Sequence, residues 1–152
     1  MALIDFVKLR EGRATDNHDG TVTAYWDVAG QVYTIGYGTT GPDIVQGLVW
    51  TYAQCDAALL AKLTQARQEL LALTPSSVVW PAGAQDALTD FVYNEGSGNY
   101  QGSTVRKCVD NGDWDGVRRH LLDWEFAGGK RLGGLVTRRE GEAAMIGTQP
   151  AV

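Results

Sequence analysis

Residues 21–41, Thr-Val-Thr-Ala-Tyr-Trp-Asp-Val-Ala-Gly-Gln-Val-Tyr-Thr-Ile-Gly-Tyr-Gly-Thr-Thr-Gly, carry the pattern on which the fold class turns. Thr21–Asp27 and Gln31–Tyr37 both alternate and are rich in β-branched and aromatic side chains, the pattern of half-buried strands. Val28, Ala29 and Gly30 stand between them, so the stretch reads as a β-hairpin. A loop holding Pro42 comes next, from Thr39 to Gly47, and beyond it the apolar period changes from strand-like to helical.

Downstream, Thr51-x-x-Gln54 is a capping box, and Leu59, Leu60, Leu63, Leu70 and Leu71 keep helical spacing until Thr74-Pro75 stops the chain. Ala84, Ala87, Leu88, Phe91 and Val92 predict a helix over 83–95. Ser103 starts another, which Asn111-Gly112 ends. Asp113 caps a further one with Trp114, Val117, Leu121 and Trp124 on its stripe, ended by Gly128-Gly129. The last runs from about Leu135 to Ile146. Upstream, Leu3, Phe6, Val7 and Arg10 share one side of a short helix over 3–11, and the polar stretch Gly12 to Gly20 offers no regular element. The fold class is α+β, mostly α: an early hairpin region and then a helical body.

A chain of 152 residues, 44% hydrophobic, is long enough to bury one core without metal or disulfide staples and too apolar to be disordered. No apolar run approaches the length of a membrane span, so stable membrane insertion is not expected. The start, Met-Ala-Leu-Ile-Asp-Phe, lacks a basic segment followed by an apolar core, and a cleavable secretion signal is not expected either. Net charge is −5; residues 1–102 carry 5 basic and 11 acidic side chains, residues 103–152 carry 8 and 7. With no basic stripe, nucleic acid is not the expected partner. Cys55 and Cys108 form no CxxC pair and read as two reduced, partly buried thiols, with a single disulfide between them as the alternative.

Three motif scans fail on their own chemistry. Gly36-Tyr-Gly38-Thr-Thr-Gly41 comes after a strand, but Pro42 and a loop stand where dinucleotide binding needs a helix N-terminus, so a nucleotide-dependent enzyme is disfavoured. Aligning Gly20 with the invariant glycine of a calcium loop puts Trp26 where a bidentate Glu belongs. His18 and His120 have no second ligand pair for zinc, and Gly129-Lys130 lacks the rest of a P-loop. No metal and no cofactor are expected.

Carboxylates are left. Glu11 closes the first helix just before Gly12, a junction where a carboxyl can be partly desolvated and face Asp27 and Thr34 of the hairpin. Glycosidic cleavage needs two carboxyl groups in unlike settings, one protonated to release the leaving oxygen and one ionised on the water side.

Arg10-Glu11-Gly12, Ala24-Tyr25-Trp26-Asp27, Gly30 and Thr34-Ile35-Gly36-Tyr37-Gly38-Thr39-Thr40 resemble the signature of the bacteriophage-type lysozymes, endolysins of glycoside hydrolase family 24. Gln85-Asp86-Ala87-Leu88 through Phe91-Val92-Tyr93-Asn94-Glu95-Gly96 is similar to that family's long central helix and its end. Ser103-Thr104, Trp124, Ala127-Gly128-Gly129-Lys130 and Gly134-Leu135-Val136-Thr137-Arg138-Arg139-Glu140 resemble its closing segments. The resemblance covers nearly the whole chain. It implies a single lysozyme-like domain over 1–152, with a hairpin lobe at about 12–50, a helical lobe at about 51–147 plus helix 3–11, and a cleft between them for the glycan strands of peptidoglycan. The implied reaction is hydrolysis of the β-1,4 bond between N-acetylmuramic acid and N-acetylglucosamine. The implied setting is a phage lysis enzyme, monomeric, kept in the host cytoplasm until a separate membrane pore releases it.

Carried across position by position, the resemblance makes Glu11 the general acid, Asp27 the acidic residue on the water side and Thr34 the hydroxyl that helps place the water. Arg138 or Arg139 becomes the arginine that approaches the acid, the spacing not deciding between them. Tyr93, Asn94, Ser103 and Thr104 fall where members line the sugar cleft; for Tyr93 and Thr104 core packing is an equal reading. The family's usual Glu–Asp spacing would land on Gly20, so Asp27 requires an insertion between Gly12 and Thr23, and Asp19 competes for its role. Asp27 to Thr34 is also longer than usual, which points to a wider turn or a bulge. Thr39 stands where many members have His, and Glu95 is an extra carboxylate without a role. A catalytically silent peptidoglycan-binding or phage structural protein of the same fold is the alternative, supported by the altered spacing.

Overall fold

The computed structural model describes residues 1–147. They divide into two compact units, the first Met1–Lys62 and the second beginning at Leu63. The first unit holds α1 (Leu3–Glu11), β1 (Thr21–Thr23), β2 (Tyr25–Asp27), β3 (Val32–Thr34), β4 (Val49–Thr51) and the start of α2 (Tyr52–Ala72). The rest of α2 belongs to the second unit, with α3 (Ala84–Glu95), α4 (Ser97–Gln101), α5 (Thr104–Asp110), α6 (Trp114–Leu121), a 3-10 turn (Leu122–Trp124), β5 (Phe126–Ala127), β6 (Lys130–Arg131) and α7 (Gly133–Met145). Helices dominate and the strands form small antiparallel pairs, so the α+β, mostly α reading holds.

The segment read as one strand over 21–27 breaks at Ala24. Its first half, β1, pairs with β4 (Val22 opposite Trp50), while β2 pairs with β3 (Trp26 opposite Tyr33). Ala24 N–H donates to the Leu48 carbonyl at 2.8 Å, which fixes the point where the chain changes partners. Strand β4 lies immediately before a capping box, and the helix signal conceals it. The box itself forms: Thr51 N–H donates to Gln54 Oε1 at 2.8 Å and Gln54 N–H to Thr51 Oγ1 at 3.2 Å.

In the first unit Phe6 and Val7 of α1 are buried, as are Val22, Ala24, Ile35, Tyr37, Cys55 and Leu59. Arg10 instead lays its guanidinium over the Phe6 ring. Gly36 has φ 63°, and a Cβ there would meet Cys55 Sγ at 3.0 Å. The glycine-rich segment thus serves a turn pressed against α2. Both cysteines are free thiols, Cys55 buried and raised in pKa by that burial.

The second unit packs Leu70, Leu88, Phe91, Tyr100, Val105, Val117 and Leu121 into one core. Asp113 caps α6 as read, accepting from Gly116 N–H at 2.9 Å. That helix ends at Leu121, however, and Gly128-Gly129, at φ 58° and 77°, turn the β5–β6 hairpin rather than closing a helix. The segment likened to a long central helix is the 12-residue α3; the longest described helix is α2, with 21 residues.

Candidate active site

Glu11 is the last residue of α1, whose C-cap Gly12 sits at φ 69° and returns its N–H to the Lys8 carbonyl. This left-handed exit turns the chain out of the helix and leaves Glu11 exposed, not partly desolvated as the junction suggested. Beyond it, Arg13 stacks 3.6 Å from the Tyr52 ring centroid. Asp16 accepts from the Tyr52 hydroxyl at 2.6 Å and from His18 N–H at 2.9 Å. The Tyr52 hydrogen bond, more than any other contact, holds the Asp16 carboxyl below its usual range. Asp19 accepts from both the hydroxyl (2.5 Å) and the N–H (3.0 Å) of Thr21, which likewise lowers its pKa. These carboxylates tie down the loop between α1 and β1.

Asp27 lies at the end of β2. In the β2–β3 register Tyr25 faces Thr34 and Asp27 faces Val32. Alternation therefore puts Tyr25, Asp27, Val32 and Thr34 on one side of the hairpin. Trp26 and Tyr33 take the other side, their rings edge to face at 5.1 Å. Asp27 Oδ1 accepts from Ala29 N–H at 3.0 Å, holding the carboxylate over the turn. The turn takes Val28 to Gln31, with Gln31 at φ 51°, which is the wider connection that the Asp27–Thr34 spacing required. Thr34 is 3% exposed, and its Oγ1 has no hydrogen-bond partner among the described residues. The structure thus brings Asp27 and Thr34 to one face and gives Asp19 a local turn to hold.

The remaining candidates lie in the second unit. Ser103 is a buried helix cap: it accepts from Arg106 N–H at 3.1 Å and donates to the Tyr100 carbonyl at 2.7 Å. Thr104 opens α5 and is exposed. Tyr93 is half-buried, with the Arg138 guanidinium 5.8 Å from its ring centroid. Arg138 grips Asp90 with two nitrogens, Nε to Oδ2 at 2.9 Å and Nη2 to Oδ1 at 2.6 Å. Arg139 donates from Nη1 to both oxygens of Glu142 (2.6 and 2.7 Å), from Nε to the Trp124 carbonyl at 3.3 Å, and from Nη2 to Asn94 Oδ1 and to Glu95 Oε1, the last at 3.1 Å. Glu95, without a role in the sequence, is thereby a counter-ion of Arg139. Asp90 and Glu142 went unnoticed in the sequence. Their signal was a carboxylate set three residues after Ala87 on an apolar helix stripe, and a Glu three and four residues after two arginines.

Glu11, Asp27 and the buried Thr34 hydroxyl thus lie in the first unit, and Arg138 and Arg139 in the second. A family profile described as phage lysozyme matches residues 16–142. The SAR-endolysin of Bacteriophage PS119 is 44% identical over 120 residues, covering 78% of this chain and 69% of that protein. The SAR-endolysin of Enterobacteria phage P21 is 36% identical over 116 residues, covering 76% and 68%. Among solved structures, a P22 lysozyme mutant at 26% identity aligns with TM-score 0.79 over 95% of this chain and 94% of that one. An endolysin from Escherichia coli O157:H7 phage FAHEc1, 28% identical, gives 0.74 over 94% and 89%. The chain belongs to the phage lysozyme family and is an endolysin with a lysozyme-type hydrolase activity. The catalytically silent alternative is not favoured. The matched profile begins after Glu11, so that residue's role rests on the Arg10-Glu11-Gly12 resemblance and its place at the end of α1.

Proposed function

We propose that the chain cleaves the β-1,4 bond between N-acetylmuramic acid and N-acetylglucosamine in bacterial peptidoglycan by direct hydrolysis. Glu11 protonates the glycosidic oxygen as general acid. Asp27 and Thr34 hold the water that meets the anomeric carbon, Asp27 accepting its proton and Thr34 fixing its position. The observation that carries this reading is the buried, unpartnered Thr34 hydroxyl on the Asp27 side of the β2–β3 hairpin. Asp27 suits the ionised role better than Asp19, whose carboxylate is taken up by Thr21.

Glu11 is exposed in the free protein, within reach of a glycosidic oxygen arriving from solvent. Of the two arginines, Arg138 suits the role the family assigns beside the acid. Arg139 has all three nitrogens committed to Glu142, Trp124, Asn94 and Glu95; Arg138 has two on Asp90 and also stands beside the ring of Tyr93, itself a sugar-binding candidate. Tyr93 and Asn94 are assigned to sugar binding with Arg138, and Ser103 and Thr104 to shaping the adjoining helix start. The site of action is the cell wall, reached from the host cytoplasm through a separate membrane pore, by a monomer. No described helix is long and apolar enough to cross a membrane.

Mass spectrometry of digested, purified peptidoglycan tests the bond. The expected fragments end in reducing N-acetylmuramic acid. Fragments ending in reducing N-acetylglucosamine, or released peptides, would contradict the assignment.

A further inference from the structure

Where α7 packs on α3, Asp90, Arg139 and Glu142 are wholly buried and Arg138 is 5% exposed. The two cations have anions besides Glu142: Asp90 forks Arg138, and Glu95 meets Arg139. Glu142 would add a third negative charge in a space closed to solvent. It also lies in hydrogen-bond contact with Asp90, and two carboxyl groups form a hydrogen bond only when one carries a proton. Among the described residues, the neighbouring elements bring no further cation to Glu142. From α6, Arg118 goes to Asp115 and to the Ile146 and Gly147 carbonyls, His120 goes to Asp123, and Arg119 is exposed. The 3-10 turn offers the Trp124 carbonyl, to Arg139.

We propose that Asp90 and Glu142 share one proton, carried on Glu142, and that this proton locks α7 onto α3. Asp90 is the poorer carrier, because two guanidinium nitrogens, one on each oxygen, hold its negative charge. Glu142 has one guanidinium nitrogen shared between its two oxygens, so its charge is the less firmly held and the proton goes there. Burial and the Asp90 contact push the Glu142 pKa well up, while the Arg138 fork holds Asp90 below its usual range against that burial. Because folding raises the Glu142 pKa, its contribution is complete at and below the ordinary carboxylate range and is lost as pH climbs through the raised value. Because folding lowers the Asp90 pKa, its contribution is complete above the ordinary range and is lost as pH falls through the lowered value. The lock is therefore closed between the two and opens on the alkaline side through Glu142. It stands apart from the hydrolase reading.

Infrared spectra of the intact protein at neutral pH, beside those of Glu142→Gln and Glu142→Ala, test the lock. The wild type is expected to show the C=O band of a protonated carboxylic acid, absent from both variants. Glu142→Gln, which copies the protonated acid, should keep the wild-type melting temperature at neutral pH and lose the alkaline fall in stability. Glu142→Ala should melt several degrees lower at neutral pH, the gap narrowing as the wild type passes through its alkaline fall. Absence of the band from the wild type would overturn the proposal. So would a Glu142→Gln protein that melts as low as Glu142→Ala, since Glu142 would then be serving as an anion.

Discussion

A buried hydroxyl without a partner costs roughly 1–3 kcal/mol of stability, and Thr34 keeps one on the side of the hairpin that carries Asp27. Thr34→Val removes the hydroxyl while keeping the shape. It should melt at or above the wild-type temperature and clear cell walls roughly tenfold more slowly or worse, as the loss of a positioning group implies. Thr34→Ser should recover most of the rate. A fully active Thr34→Val protein would remove the hydroxyl from the reaction. Gly30 makes a second prediction. A Cβ there would stand 3.2 Å from Asp27 Oδ2 and 3.3 Å from Val32 Cγ1, so Gly30→Ala turns the carboxylate. Its kcat should drop several-fold with KM little changed, read from initial rates on soluble peptidoglycan fragments. For single residues the sequence showed the chemical types of the site but not their surroundings. Glu11 was read as partly desolvated because it ends an apolar helix, and the left-handed exit at Gly12 exposes it instead. Asp90 and Glu142 escaped notice because a buried charge is visible only once its partner, 48 residues away for Asp90 and Arg138, is in place.

Elements whose signal is local were legible. The capping box before α2, the Ser103 and Asp113 caps and the apolar stripe of α3 all rest on spacings of three or four residues, and all form. Thr51→Ala should accordingly destabilise the protein by about 1 kcal/mol in urea unfolding, within the ~0.5–2 kcal/mol range of such caps. No measurable change would mean that the box is not holding the helix start. Pairing over distance was not legible. Alternation over 21–27 is the same whether the strand has one partner or two, and only the Ala24–Leu48 bond divides β1 from β2. A glycine pair reads as a helix end or a hairpin turn according to the pairing of the residues after it. Lys130 and Arg131 pairing back on Ala127 and Phe126 made Gly128-Gly129 a turn.

For the whole molecule, a net charge of −5 sets an acidic enzyme against an anionic polymer. Like charges slow encounter, and salt screens them, with a Debye length near 10 Å at about 0.1 M. Clearing of purified walls should therefore quicken as salt rises from low ionic strength to about 0.1 M. A steady fall over that range would show that the local +1 balance of residues 103–152 governs binding instead. The class of the molecule was legible because its motifs run in family order along nearly the whole chain.

Everything proposed for the reaction depends on a proton delivered from the end of the first helix to the glycan. Turbidity clearing of purified cell walls by Glu11→Gln, measured beside its melting curve, puts that proton to the test. Clearing should be lost while the melting temperature stays within a degree or two of the wild type. A Glu11→Gln protein that clears walls at the wild-type rate would show that the proton comes from elsewhere.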